Sequence, residues 1–274
     1  MALHVKTEHT LGSLGDSNRR EAGLLRRLSW IEIMGGILII LFGKGVMVSG
    51  QLIFGNGSSH YFWGGFLLFL GISHIFKSRE DEHAAFLMDY GREGEEQVSR
   101  ALLRGLPDSF WLADDLTVNL GGFPRPRTSQ MDHLILGPGG LWILETKAYA
   151  GHLEGKLTDQ KWRRGKDQLT NPVVQNQYHV DSLKDFLRRK GLSGVPFNSL
   201  VIMTRTDVRM SVPGWDREIV IGPDSAVARI LSSASKYDFP AELRDRIAVA
   251  LGIDMPVNQC TSVPTQISID FHEE

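Results

Sequence analysis

The feature that most constrains this chain is residues 128–147, which have the pattern of two β-strands joined by the turn Gly137-Pro138-Gly139-Gly140. Closing a hairpin on this turn places three opposed pairs on one face of the sheet: Leu136 with Leu141, Leu134 with Ile143, and Asp132 with Glu145. Two of these pairs are apolar and the third is a pair of carboxylates. Lys147 follows two residues beyond Glu145.

Like charges directly opposed across a hairpin are unfavourable, and a nearby apolar face adds a desolvation cost. A divalent cation removes that conflict, because two carboxylates with water and a backbone carbonyl suit Mg²⁺ or Mn²⁺. Lys147 beside such a site could orient a water molecule or neutralise charge on a phosphate. The alternative is a solvated strand end in which Glu145 and Lys147 form a surface ion pair. The residues alone leave both interpretations open.

Composition excludes some classes of function. The chain has 274 residues and a formal net charge of −2, so it is not a generic binder of polyanions. Its single cysteine, Cys260, excludes an intramolecular disulfide and a cysteine-rich zinc site.

Two apolar stretches, residues 28–54 and 61–76, are joined by a turn-rich linker at residues 55–60, and residues 45–76 contain no Lys, Arg, Asp or Glu. This pattern predicts a transmembrane hairpin of two short helices over residues 28–77. Because each stretch is short for spanning a bilayer, a buried or interfacial helical pair is the alternative.

Basic residues flank the outer ends of the predicted hairpin, and its linker carries no fixed charge. The positive-inside rule then predicts a multi-pass protein of the cell inner (cytoplasmic) membrane, with the large domain facing the cytoplasm. The predicted organisation is a mobile N-terminal arm (1–27), the membrane hairpin (28–77), a charged connector (78–90), the main domain (91–205) and a C-terminal extension (206–274) packing on the domain, with an irregular tail.

Helical and strand periodicities surround the central hairpin. A helix is predicted over about 92–104, with Glu95 on its buried side, and a strand over 110–118. Asn171-Pro172 opens a long helix ending at Lys190, with Gln175 in its first turn. Further strands are predicted near 200–203 and 218–221, and further helices near 225–232 and 240–251.

A local excess of positive charge follows the hairpin, with ten Lys or Arg against six Asp or Glu between residues 145 and 190. The candidate nucleic-acid-binding residues are Lys161, Trp162, Arg163, Arg164 and Lys166. The tryptophan could pack on a base or sugar while the cations contact phosphates. A solvated surface strand is the alternative.

The order helix, strand, hairpin with Asp…Glu-x-Lys, helix, strand resembles the PD-(D/E)xK nuclease superfamily, and more specifically the nuclease-related (NERD) domain. The matching motifs, in order, are Gly91-x-x-Gly94-Glu95, Gln130-Met131-Asp132-His133, Gly140-Leu141-Trp142-Ile143-Leu144-Glu145-Thr146-Lys147, Gly151, Trp162 and Asn171-Pro172-x-x-Gln175. The resemblance covers roughly residues 90–205. In this chain Met131 precedes Asp132 where the superfamily pattern has proline.

The resemblance implies an α/β fold with a three-layer restriction-endonuclease-like core and a mixed central sheet, here preceded by the helical transmembrane hairpin. It implies Asp132 and Glu145 as ligands of Mg²⁺ or Mn²⁺, Lys147 as the catalytic lysine, and Glu95 and Gln175 as accessory site residues. The implied function is a membrane-anchored, metal-dependent nuclease whose partners are nucleic acid, with DNA expected, and the lipid bilayer. A membrane-tethered nucleic-acid-binding module without turnover and a structural membrane protein are the alternatives.

Overall fold

The computed structural model describes residues 3–5, 10–42, 47–48, 51–52, 59–121, 127–233 and 239–253. The helices in these ranges are α1 (Thr10–Phe42), α2 (Ser59–Gly105), α3 (Pro172–Arg189), α4 (Pro223–Ser233) and α5 (Ala241–Leu251). The strands are β1 (Leu3–Val5), β2 (Met47–Val48), β3 (Gln51–Leu52), β4 (Trp111–Gly121), β5 (Arg127–Gly137), β6 (Gly140–Lys147), β7 (Gly151–Glu154), β8 (Lys161–Arg164), β9 (Asp167–Thr170), β10 (Phe197–Met203), β11 (Val208–Ser211) and β12 (Ile219–Ile221).

The chain divides into two compact units, one formed by Met1–Glu8 with Gly94–Glu274 and the other by His9–Glu93. The larger unit is built on a mixed six-stranded sheet in the order β1-β4-β5-β6-β10-β12. Strands β4, β5 and β6 pair antiparallel, whereas β10 pairs parallel with both β6 and β12. A parallel return needs a crossover, and α3 lies in the connection between β6 and β10. The expected α/β fold with a mixed sheet is confirmed.

Apolar side chains of β5 and β6 alternate between the two faces of this sheet. Both faces are therefore apolar, and helices cover each of them. Leu134, Leu136, Leu141 and Ile143 are buried in one cluster with Val180, Leu183 and Leu187 of α3 and Ile247 of α5. Ile135, Trp142 and Leu144 are buried in a second cluster with Val98 and Leu102 of α2 and Ile230 of α4. The predicted opposed pairs Leu136–Leu141 and Leu134–Ile143 are both present.

A second sheet of four strands has the order β11-β7-β8-β9. Trp162 of β8 and Leu153 of β7 are buried there with Val201 and Met203 of β10. The chain beyond residue 205 contributes β11 to this sheet and β12 to the edge of the central sheet. Cys260 and the predicted irregular tail lie outside the described residues.

The unit His9–Glu93 pairs α1 with the first part of α2 through small residues. Ser78 Oγ donates to the Ala22 carbonyl oxygen at 3.0 Å. A Cβ atom added at Gly71 would lie 2.8 Å from the Ser29 carbonyl oxygen, and one added at Gly36 would lie 2.7 Å from that of Gly64. Small residues spaced seven apart therefore allow close approach of the two helices.

Two segments of the expected organisation are helical in the structure. Helix α1 begins at Thr10, inside the segment expected to be a mobile arm. In this helix Arg19 and Arg26 form interhelical ion pairs with Asp89 and Glu82. The expected connector, residues 78–90, lies within the continuous helix α2.

The predicted transmembrane hairpin is not found, because no helix in the described ranges is both long and apolar enough to cross a bilayer. In α1 the apolar stretch contains Glu32, and in α2 it ends at Lys77. From Tyr61 to Phe76 the helix rises about 24 Å, against about 30 Å of bilayer hydrocarbon. Residues 55–58 of the predicted linker lie outside the described residues.

Candidate active site

The candidate site lies where the ladder between β5 and β6 ends. Regular pairing stops at His133 opposite Leu144, one position before Asp132 and Glu145. There Asp132 Oδ2 accepts a hydrogen bond from the Thr146 backbone N–H at 2.7 Å. A carboxylate thus takes the place of a backbone acceptor, and this bond fixes Asp132 at the strand end.

Glu145 is the most deeply buried acid of the site, with 1% of its surface exposed. Burial and the charge of Asp132 raise the pKa of Glu145 to about 8, although Lys147 acts in the opposite direction. Lys147 Nζ lies 2.5 Å from Glu145 Oε1. Burial alone would lower the pKa of Lys147, but the charges of Glu145 and Asp132 raise it, so the ammonium form is favoured.

Glu95, near the C-terminal end of α2, contributes a third carboxylate. It is half-buried, and burial followed by the charge of Asp132 raises its pKa to about 7. The structure therefore brings Glu95, Asp132, Glu145 and Lys147 into one electrostatically coupled group. When ionised, three acids outnumber one lysine, and a cation would neutralise that excess of negative charge.

His133 belongs to the motif Gln130-Met131-Asp132-His133, but the sequence analysis predicts no role for it. It is 1% exposed, and its Nδ1 lies 2.6 Å from Asp114 Oδ1 while its Nε2 lies 3.1 Å from Thr146 Oγ1. Burial lowers its pKa, but the hydrogen bond and charge of Asp114 more than offset that, so the pKa is raised. The bonds tie β4 to Thr146, the residue between Glu145 and Lys147. The signal in the sequence was a histidine at an inward-facing strand position.

On the other face of the sheet, α3 brings His179 to the site. Its Nε2 lies 3.6 Å from Glu145 Oε2, and its Nδ1 lies 2.8 Å from Ser129 Oγ. Burial lowers the pKa of His179, which favours the neutral ring. Gln175, the predicted accessory residue, is half-buried in the first turn of α3, four residues before His179. Residues four apart share a helix face, so the position of Gln175 was the available signal for His179.

Side chains of the predicted nucleic-acid-binding segment alternate along β8 between a buried and an exposed face. Trp162 is fully buried, and its Nε1 donates to the Lys156 carbonyl oxygen at 2.8 Å. The prediction that Trp162 packs on a base or sugar is therefore wrong, because its ring belongs to the core of the second sheet. Lys161, Arg163 and Lys166 are exposed, and Arg164 lies 3.2 Å from Asp167.

The donor set fits a divalent cation held partly by water and substrate. No group of three His, Cys, Asp or Glu side chains in the described ranges is arranged to hold a metal ion. Mg²⁺ is nonetheless commonly bound through one or two carboxylates, with waters and substrate phosphates completing its shell. Asp132 and the buried Glu145, whose charges repel each other, supply two such carboxylates.

The model of the nuclease-related domain (NERD) matches residues 90–204. This segment belongs to the nuclease-related domain family. The match covers Glu95, the hairpin with Asp132, Glu145 and Lys147, and most of the second sheet. It ends before β11, β12, α4 and α5, which complete the sheets and layers around the nuclease-related domain.

An uncharacterized protein of Bacillus anthracis is 30% identical to this chain over 98 residues, which is 34% of this chain and 45% of that protein. The chain thus spans less than half the length of this relative. No solved structure matches the chain.

The raised pKa of Glu145 predicts how stability depends on pH in the absence of divalent metal. Between its usual value of 4.5 and about 8, Glu145 binds more protons in the folded state than in the unfolded state. The free energy of unfolding should therefore fall as pH rises through this window, by up to a few kcal/mol shared with the coupled acids. Chemical denaturation with chelator at pH 5 and pH 8, on wild type and Glu145→Gln, measures this. Equal pH slopes for the two proteins would contradict it.

Proposed function

We propose that the nuclease-related domain hydrolyses phosphodiester bonds of nucleic acid, DNA being the expected substrate, with Mg²⁺ or Mn²⁺ as cofactor. The observation that carries this proposal is the buried Glu145 carboxylate, which lies 2.5 Å from Lys147 Nζ and is coupled to Asp132. An ion pair of this kind is costly to bury unless both charges are used or compensated.

A divalent cation held by Asp132 and Glu145 would supply positive charge that neutralises the two carboxylates and polarises the substrate phosphate. The Thr146 N–H holds Asp132 in place for this role. Lys147 keeps its charge and can hold water or donate to a phosphate oxygen as negative charge develops. Glu95 and Gln175 are proposed as accessory residues. No side chain needs to act as a covalent nucleophile.

The decisive mutations separate metal binding from the chemical step. Glu145→Gln should reduce DNA cleavage by about 10²-fold or more and weaken Mn²⁺ binding, because a ligand charge is lost. Lys147→Ala should reduce cleavage similarly while largely retaining Mn²⁺ binding, since the ammonium group is not a ligand. Plasmid and linear DNA cleavage by the full chain, with calorimetric Mn²⁺ titration, measures both effects. Glu242→Gln, at an exposed position in the first turn of α5, is the control.

Three outcomes would count against this function. Normal cleavage by both variants would place the active site elsewhere. Salt-dependent DNA binding by the wild type without cleavage in either metal would favour a binding module that has lost turnover. Absence of both metal and nucleic-acid binding would favour a structural protein.

We propose that the exposed cations Lys161, Arg163 and Lys166, together with Arg164, contact nucleic-acid phosphates. Lys161 and Lys166 lie on β8 and on the turn that follows it. Changing both to alanine should lower the slope of log affinity against log salt by about 0.9 per lost phosphate contact with duplex DNA. Fluorescence anisotropy over a salt series measures the slope, with Lys184→Ala/Lys190→Ala as the charge-matched control. An unchanged slope would make this segment ordinary surface.

We further propose that the unit His9–Glu93 associates with lipid, which would locate the protein at the cytoplasmic face of the inner membrane. Apolar side chains are exposed around the helices while small residues are buried between them. Around the buried Ser29 three apolar side chains are exposed, to 39% at Leu28, 60% at Trp30 and 68% at Ile31. At about 100° per residue they point to three different sides of α1. Large apolar side chains exposed on several sides of a helix favour lipid over a single protein partner, which covers one face.

Vesicle flotation tests this association. The full chain should float with vesicles of phosphatidylethanolamine and phosphatidylglycerol, and Phe62→Gln/Phe66→Gln/Phe69→Gln should remain at the bottom of the gradient. These three residues are 66%, 44% and 67% exposed in the apolar part of α2. Phe86→Gln/Leu87→Gln, equally exposed in the charged part, should float like wild type. A wild type that stays unbound to vesicles contradicts the proposal.

A further inference from the structure

We infer that His179 is a positioning residue for Glu145, holding Oε2 of the carboxylate whose Oε1 contacts Lys147. The inference deepens the proposed function and rests on it, because orientation of Glu145 matters for activity only if this residue takes part in metal binding.

His179 lies beside Glu145, and the charge of Asp132 also acts on its ring. The ring is 8% exposed, and Nδ1 lies 2.8 Å from the hydroxyl of Ser129, itself 2% exposed. The Nε2 atom is buried and makes no hydrogen bond with any residue in the described ranges. It lies 3.6 Å from Glu145 Oε2. A buried polar atom is rarely left without a hydrogen-bond partner. A small rotation of either side chain would bring Nε2 and Oε2 within hydrogen-bond distance.

The Glu145 carboxylate decides which ring nitrogen of His179 carries the proton, because the Ser129 hydroxyl can either donate to Nδ1 or accept from it. If the hydroxyl donates to Nδ1, the ring hydrogen is on Nε2 and faces the carboxylate oxygen. The opposite tautomer would place the Nε2 lone pair against that oxygen, and the two would repel each other. The favourable arrangement is therefore a chain from Ser129 Oγ–H to Nδ1 and from Nε2–H toward Glu145.

Helix α3 can hold His179 against Glu145 because the helix is fixed to the sheet beside the site. The fully buried Asn176 donates from Nδ2 to the Ile143 carbonyl oxygen at 2.9 Å and to the Leu200 carbonyl oxygen at 3.3 Å. These bonds tie α3 to β6 and β10 less than one turn before His179. Glu145 is thus restrained by Lys147 on its own strand and by His179 on a separate rigid element.

Metal titration of the full chain without DNA tests this positioning. Residues that orient a metal ligand typically contribute about 10- to 100-fold to metal affinity. His179→Ala should weaken Mn²⁺ binding by that amount, and His179→Gln should restore it to within a few-fold, because the glutamine amide can donate to Oε2. Ser129→Ala should lie between them. His152→Ala, at an exposed position of β7, should bind like wild type.

A second readout needs neither metal nor turnover. Histidine ¹⁵N spectra of the metal-free full chain at pH 9, where Glu145 with its pKa of about 8 is ionised, should show His179 with its proton on Nε2, and Glu145→Gln should shift that signal. A proton on Nδ1, or a signal insensitive to Glu145→Gln, would overturn the inference even if His179→Ala fails to fold. Unchanged Mn²⁺ affinity in His179→Ala would overturn it as well. Failure of the nuclease proposal alone would appear instead as a wild type that does not cleave, with the Nε2 proton and its coupling to Glu145 intact.

Discussion

The site depends on one electrostatic conflict at the end of the central hairpin. Asp132, Glu145 and Glu95 are brought together beside a buried sheet, and their burial and mutual repulsion raise the pKa of Glu145 to about 8 and that of Glu95 to about 7. The fold tolerates this because Lys147 contacts Glu145 and the Thr146 N–H binds Asp132. An arrangement in which the acids partly favour protonation without metal is one that a divalent cation can stabilise by displacing protons.

The hairpin's register was predictable because the apolar residues of both strands leave little freedom. Shifting the pairing by one residue would turn Leu134, Leu136, Leu141 and Ile143 away from α3, and the turn length sets the same register independently. Two local constraints therefore agreed, and the opposed leucine and isoleucine pairs are found as expected. Helix α3 was equally predictable from the sequence, since Asn171 caps it and Pro172 is its first residue.

The histidines at the site were not predictable in their roles. His133 meets Asp114 on β4, and His179 meets Ser129 on β5 and Glu145 on β6, so each contact joins elements far apart in the chain. Local periodicity gives the face on which a residue lies but not its partner on another element. Trp162 shows the opposite error, because its cationic neighbours suggested a ligand contact while strand alternation placed it in the core.

The helical unit shows why an apolar stretch does not by itself define a membrane span. In α1 and α2 the small residues occupy the contact between helices, and this leaves large side chains such as Trp30 and Phe69 on the outside. A helix pair in water normally buries its large apolar residues, since about 25 cal/mol is gained per Å² removed from water. In this helix pair that free energy is gained only when another molecule covers the outer apolar surface. The amino-acid composition shows only that the segment is apolar. The packing of α1 against α2 shows that its large apolar side chains face outward.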